Sequence, residues 1–135
     1  MATVSKPARP RAPHLQVYTW GPHMLVSILH RATGSGLATV GTILFVWWLA
    51  AAAAGEEAYA TFLSWFTGDW APLGYILGVG LTWAFFQHMA NGVRHLFMDL
   101  GANFELKGNR ASAVATLAFA GLATAAFWAY IVLGR

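Results

Sequence analysis

Hydrophobic positions in this chain gather into three long blocks, each too long for a strand and too uniformly apolar for a surface helix. The first, Leu37 to Ala54, contains no charged residue. With Thr33 to Gly36 added, and a helical rise of ~1.5 Å per residue, it nearly crosses a ~30 Å hydrocarbon layer. The second runs from Ala71 to about Met98, and the third from Ala111 to Leu133. The sequence turns helical after Pro22, so spans are expected over residues 27–54, 71–98 and 111–133. The predicted fold is an all-α integral membrane protein with three transmembrane helices and its termini on opposite sides. Residues 1–22 form an arm, and residues 23–135 the membrane domain.

Punctuation residues refine this pattern. Prolines 7, 10 and 13 disfavour a regular helix in the arm, and Gly55 is positioned to stop the first span. Between Glu56 and Trp70 a short amphipathic helix over Glu57–Phe66 is expected, with Trp65, Phe66 and Trp70 as interfacial anchors. Gly101 to Arg110 reads as the loop between spans two and three. Gly74, Gly78, Gly80 and Gly92 permit close approach along span two, and Ala115, Ala118, Gly121, Ala125 and Ala129 mark the expected packing face of span three.

Charge orients the bundle. Only 10% of the 135 residues are charged against 58% apolar, and the net charge is +3. The cations sit at segment ends and form no basic run, so nucleic acid is not an expected partner and membrane lipid is. Lys6, Arg9 and Arg11 precede span one, and Arg94, Lys107 and Arg110 surround the second loop; the first loop carries Glu56, Glu57 and Asp69 and no cation. The positive-inside rule then puts the N-terminus in the cytoplasm and the C-terminus outside. The absence of cysteine excludes a thiolate-held iron–sulfur cluster and a CxxCH haem attachment in this chain, and no removable signal peptide is expected.

Two polar clusters break the apolar blocks at their cytoplasmic ends. Ionisable groups at membrane depth are costly and usually functional. Ser27, His30 and Arg31 share a helix face at i, i+3 and i+4; His88 shares one with Asn91, Gly92 and His95. From the direction of each span, His30 is expected level with His95 and His88 about two turns deeper. A neutral imidazole in an apolar helix, beside a glycine, suits an axial haem ligand; the alternative is a hydrogen bond to a neighbouring helix. His30, Arg31, Arg94 and His95 would supply donors for propionates. No other histidine is expected at the depth of His88, so a six-coordinate haem would take its second ligand from another polypeptide. Ser27 and Arg31, flanked by Trp20 and Ile28, suit a pocket for a quinone, or else a helix-start serine and an arginine snorkelling to headgroups. Asp99 reads as a proton relay or as an ion-pair partner of a cation such as Arg94.

Three segments carry a family resemblance: Arg9-Pro10 with Pro13-His14-Leu15-Gln16-Val17-Tyr18; Ser27-Ile28-Leu29-His30-Arg31-Ala32-Thr33-Gly34; and His88 through Asn91-Gly92-Val93-Arg94-His95 to Asp99-Leu100-Gly101. In these the chain resembles the cytochrome b subunit of succinate dehydrogenase, one of the membrane anchors of respiratory complex II. The resemblance implies half of a heterodimeric anchor bundle. Haem b would be shared with a second membrane-anchor subunit that supplies the other axial ligand, with His88 as this chain's own ligand and His30, Arg31 and His95 by the propionates. It implies ubiquinone as substrate at Ser27, Arg31, Trp20 and Ile28, and an iron–sulfur subunit and a flavoprotein subunit as further partners. The expected location is the bacterial cell inner membrane, as a multi-pass protein. Lacking a nucleotide fingerprint and a soluble catalytic domain, the chain is not expected to catalyse succinate oxidation alone. The alternatives are a haem-free structural anchor of a succinate dehydrogenase or fumarate reductase and, less well matched because ionisable groups are missing from the outer halves of the spans, a transporter or channel subunit.

Overall fold

The computed structural model describes residues 18–134, which form helices joined by short connections. The expected arm lies outside the described residues except for its last five positions. Helix α1 runs Pro22–Ala54, opening on a proline where the missing N–H costs nothing. One turn widens to π geometry at Leu37–Gly41, a local feature that the periodicity of the sequence does not reveal. Gly55 stops the helix with φ 108°, a backbone region open to glycine, as its position predicted. The short helix expected next is α2, Glu56–Thr67, with both glutamates in its first turn, where they favour the positive end of the helix dipole.

Helix α3, Ala71–Asp99, ends in a closed cap. Gly101 takes φ 83°, its N–H donates to the Met98 carbonyl at 2.9 Å, and the Ala102 N–H reaches back to the Phe97 carbonyl at 3.1 Å. The connection that follows is shorter than the expected Gly101–Arg110 loop, because α4 already begins at Leu106 and runs to Leu133. Gly108 in its first turn leaves room for the Asn103 side chain: a Cβ there would lie 2.6 Å from Asn103 Oδ1 and displace that amide.

Helix α3 packs against both α1 and α4, while α2 lies across the far end and is held by edge-on aromatic contacts of Trp47 with Phe62 and Trp65, 5.0 and 5.8 Å between ring centres. Trp128 of α4 lies over Gly78, where a Cβ would come within 3.1 Å of the indole. The buried side of α4 carries Ala113, Thr116, Ala120 and Thr124. The alanine–glycine stripe expected to pack, Ala115 to Ala129, is exposed instead. The reason is polar: Thr116 and Ser112 have hydrogen-bond partners on α3, and meeting them turns the apolar stripe outward.

Burial is inverted relative to a water-soluble domain. Gln87 and Asn91 are completely buried and Arg94 nearly so, whereas Ile43, Ile76, Tyr130 and Leu133 are each more than two-thirds exposed. Such an arrangement is stable only where the surroundings are themselves apolar. Both α1 and α4 are long and apolar enough to cross a membrane. At 29 residues, ~44 Å along its axis, α3 is no shorter than α4, but the polar residues of its second half lower its hydropathy.

The contacts of Arg94 can be tested through stability. Its guanidinium donates to Asn109 Oδ1 at 2.7 Å, Ser112 Oγ at 3.0 Å and Asn91 Oδ1 at 3.4 Å. At about 0.6 kcal/mol for each bond in an apolar bundle, Arg94→Met should destabilise the protein by about 2 kcal/mol and lower its melting temperature in detergent. An unchanged melting temperature would mean that the Arg94 bonds add nothing to the packing of α3 on α4.

Candidate functional site

The second half of α3 carries two adjoining polar rows. Gln87, Asn91 and Arg94, spaced at helical intervals, turn into the contact with α1 and α4. Gln87 Nε2 lies 3.5 Å from Thr116 Oγ1, and Asn91 Nδ2 donates to the Val26 carbonyl of α1 at 3.1 Å. With that row fixed, the neighbouring row of His88 and His95, two turns apart, faces α1 at the level of His30.

The three imidazoles form one cluster. His30 stacks on His88 with ring centres 3.9 Å apart and planes 4° from parallel, and lies 5.1 Å from His95 at a 37° tilt. His30 therefore sits between the other two and against His88, and the expectation that it is level with His95 alone is corrected. Helix lengths give the reason. Because α1 begins at Pro22, His30 is already about 12 Å along its axis, while His88 and His95 are about 16 and 6 Å from the end of α3. The glycine that makes room for His88 is also not Gly92, whose missing Cβ would only touch His30 at 3.8 Å. It is Gly34, where a Cβ would sit 2.8 Å from His88 Cε1.

Hydrogen bonds define the protonation of two of these rings. His88 Nδ1 lies 3.1 Å from the His30 carbonyl, and His95 Nδ1 lies 2.7 Å from the Asn91 carbonyl. A carbonyl oxygen only accepts, so each Nδ1 carries a proton, and in the neutral imidazole each Nε2 is then the nitrogen with the lone pair. His88 Nε2 has no hydrogen-bond partner among the described residues and is not a buried atom, which leaves it available to a ligand. The donor set thus fits a group whose metal takes a neutral imidazole from this chain. The described residues contain no cluster of three or more His, Cys, Asp or Glu side chains able to hold a metal ion by themselves, so such a metal would bring ligands of its own.

Among the remaining residues, Arg94 departs from the sequence expectation. Arg94 is committed to Asn109, Ser112 and Asn91 and is not a free rim donor; nor is it the partner of Asp99, which is exposed at the end of α3. Ser27, Ile28 and Arg31 occupy the exposed side of α1, while Trp20, 63% exposed, lines an open cavity of about 280 Å³ with His23 and Arg110. The structure brings His30, His88 and His95 together and leaves Trp20, Ser27, Ile28 and Arg31 unenclosed by this chain. Two contributors were missed by sequence reasoning, Thr33 and Gly34. Their signal was available, since they stand at i+3 and i+4 from His30 on the same face.

Residues 5–127 match the family described as succinate dehydrogenase/fumarate reductase transmembrane subunit. The succinate dehydrogenase cytochrome b556 subunit of Paracoccus denitrificans is 39% identical over 118 residues, covering 87% of this chain and 88% of that protein. That of Rickettsia felis is 36% identical over 99 residues, 73% of each chain. The mitochondrial cytochrome b560 subunit of Mus musculus is 34% identical over 118 residues, covering 86% of this chain and 68% of the relative. A match over nearly the whole length, carried by a helical bundle whose polar residues are buried, makes this chain a member of the succinate dehydrogenase/fumarate reductase transmembrane subunit family.

Proposed function

We propose that the chain is the cytochrome b anchor of a succinate dehydrogenase, binding one haem b together with a second membrane-anchor subunit and contributing half of a ubiquinone-reduction site. The observation that carries this reading is His88, whose Nδ1–H is tied to the His30 carbonyl while its Nε2 lone pair stays open. That nitrogen would hold the haem iron, and the haem would supply one-electron chemistry. His30, His95 and Arg31 would serve its propionates. The cytochrome b names of the relatives support the cofactor.

The second axial ligand belongs to the partner. Rings 3.9 Å apart and almost parallel are in van der Waals contact, so His30 and His88 cannot hold the two faces of a porphyrin between them. The same logic extends to the quinone. Ser27 would hydrogen-bond one carbonyl oxygen and Arg31 would stabilise negative charge as electrons arrive, with Trp20 and Ile28 as apolar walls. All four are exposed here, so a partner must close the pocket. An iron–sulfur subunit delivering electrons from a flavoprotein subunit would dock on that side, where Asp99 stands exposed as a candidate proton relay.

In this reading α3 spans the bilayer as do α1 and α4, with the N-terminus cytoplasmic, the C-terminus outside, and the chain a multi-pass protein of the bacterial inner membrane. The arm is residues 1–22 and the anchor domain residues 23–135. A haem-free structural anchor is the second reading, favoured by the direct stacking of His30 on His88.

A reduced-minus-oxidised spectrum of the purified complex should show a b-type haem, and His88→Ala should weaken or abolish it. A complete complex with full quinone reductase activity and no haem by pyridine haemochrome assay would instead favour the structural anchor. Ser27→Ala and Arg31→Leu should each slow quinone reduction by at least about tenfold, with succinate oxidation by an artificial soluble acceptor intact. Normal quinone turnover in both variants would move the pocket elsewhere.

A further inference from the structure

Beneath the histidine cluster lies Thr33, a buried hydroxyl on α1 to which neither the resemblance nor the proposed function assigns a role. Its Oγ1 lies 2.7 Å from the Leu29 carbonyl, 3.2 Å from the His30 carbonyl and 3.2 Å from His88 Nδ1. A hydroxyl has one proton. The shortest contact, to Leu29, takes it, and a lone pair of Oγ1 is then directed at His88. The opposite assignment, with Thr33 donating to an unprotonated Nδ1, would set a lone pair of that nitrogen 3.1 Å from the His30 carbonyl oxygen, acceptor against acceptor. The Nδ1–H of His88 is therefore shared between two acceptors one turn of α1 provides, the backbone of His30 and the side chain of Thr33.

Space is arranged around the same ring. Gly34, next in sequence, lies against His88 so closely that any Cβ would come within 2.8 Å of Cε1 and 3.3 Å of Nδ1. The turn His30–Gly34 thus offers a carbonyl, a hydroxyl and a bare backbone to one imidazole, which fixes its tautomer, its tilt and its distance from α1.

We propose that Thr33 is a positioning residue for His88, holding the Nδ1–H tautomer with its Nε2 lone pair outward and, when His88 ligates haem, tuning the iron through that hydrogen bond. The tautomer half stands on the contacts alone, and the tuning half rests on the haem reading above. An acceptor at the distal nitrogen makes the imidazole a stronger electron donor, which stabilises ferric over ferrous iron. Removing it should therefore raise the haem potential.

The test uses Thr33→Val, which keeps the shape and loses the hydroxyl, and Thr33→Ser, which keeps the hydroxyl. In the purified complex Thr33→Val should retain haem, shift its midpoint potential upward and change its low-spin electron paramagnetic resonance signal, with Thr33→Ser close to the unsubstituted protein. An unchanged potential and signal in Thr33→Val would overturn the tuning role. Nitrogen-15 spectra of the full chain in lipid nanodiscs, labelled at histidine and without added haem, should show His88 protonated at Nδ1. Protonation at Nε2 would overturn the proposal whether or not Thr33→Val assembles. A complex without haem whose His88 still shows the Nδ1–H tautomer would instead defeat the haem reading and leave the positioning role standing.

Discussion

The structure depends on one constraint: Gln87, Asn91 and Arg94 of α3 are buried in the bundle, so they must look for partners on the neighbouring helices. An unpaired amide or guanidinium in hydrocarbon costs several kcal/mol, more than apolar packing differences between rotations of a helix supply. Asn91 and Arg94 meet this by reaching the Val26 carbonyl and Asn109 with Ser112, and Gln87 in part, through its Nε2 to Thr116, while its Oε1 stays without a partner. Those bonds set the rotation of α3 about its axis. The facing of His88 and His95 toward α1 is then a consequence of polar satisfaction one row away, and the site inherits its geometry from residues that would never touch a ligand.

The same constraint explains what is left outside. Once the polar rows are turned inward, the large apolar side chains have no room in a three-helix interior filled by Val26, Ala113, Ala120 and small hydroxyls, and they cover the surface. Lipid can cover most of that surface. It cannot cover Ser27 and Arg31 on the exposed side of α1 in the same way, since a hydroxyl and a guanidinium there call for polar partners or for headgroups. The exposed polar side of α1 and the histidine cluster behind it are the two places where this bundle is unfinished on its own.

Much of the fold was legible in the sequence, and what escaped shares a cause. The three helices follow from long, largely apolar blocks, and the ends at Gly55 and Gly101 follow from the left-handed backbone that only glycine adopts freely. Those are local properties, and local composition specifies them. The inward face of α4, the start of α4 at Leu106 and the depth of His30 are pairwise properties. An alanine stripe is a plausible packing face until one knows that Thr116 has Gln87 to meet. Likewise, Arg94 reads as a cytoplasmic rim cation until Asn109 and Ser112 are brought beside it by a connection shorter than the loop residues imply.

Depth is the most consequential of these pairwise properties, because it bears on whether a haem here needs a partner chain. With His30 stacked on His88, a second histidine of this chain does reach the same level, contrary to the sequence expectation. The partner proposed above follows instead from orientation. The ring nitrogens that remain unprotonated on His88 and His95 belong to side chains of one helix row, and His30 is pressed flat against the first of them. On the proposed reading His88 would hold the iron from one face, and His30 and His95 would lie along the edge of the macrocycle. On the haem reading proposed above, none of these three could reach around the macrocycle, so the opposite face would be closed by a group other than His30, His88 and His95.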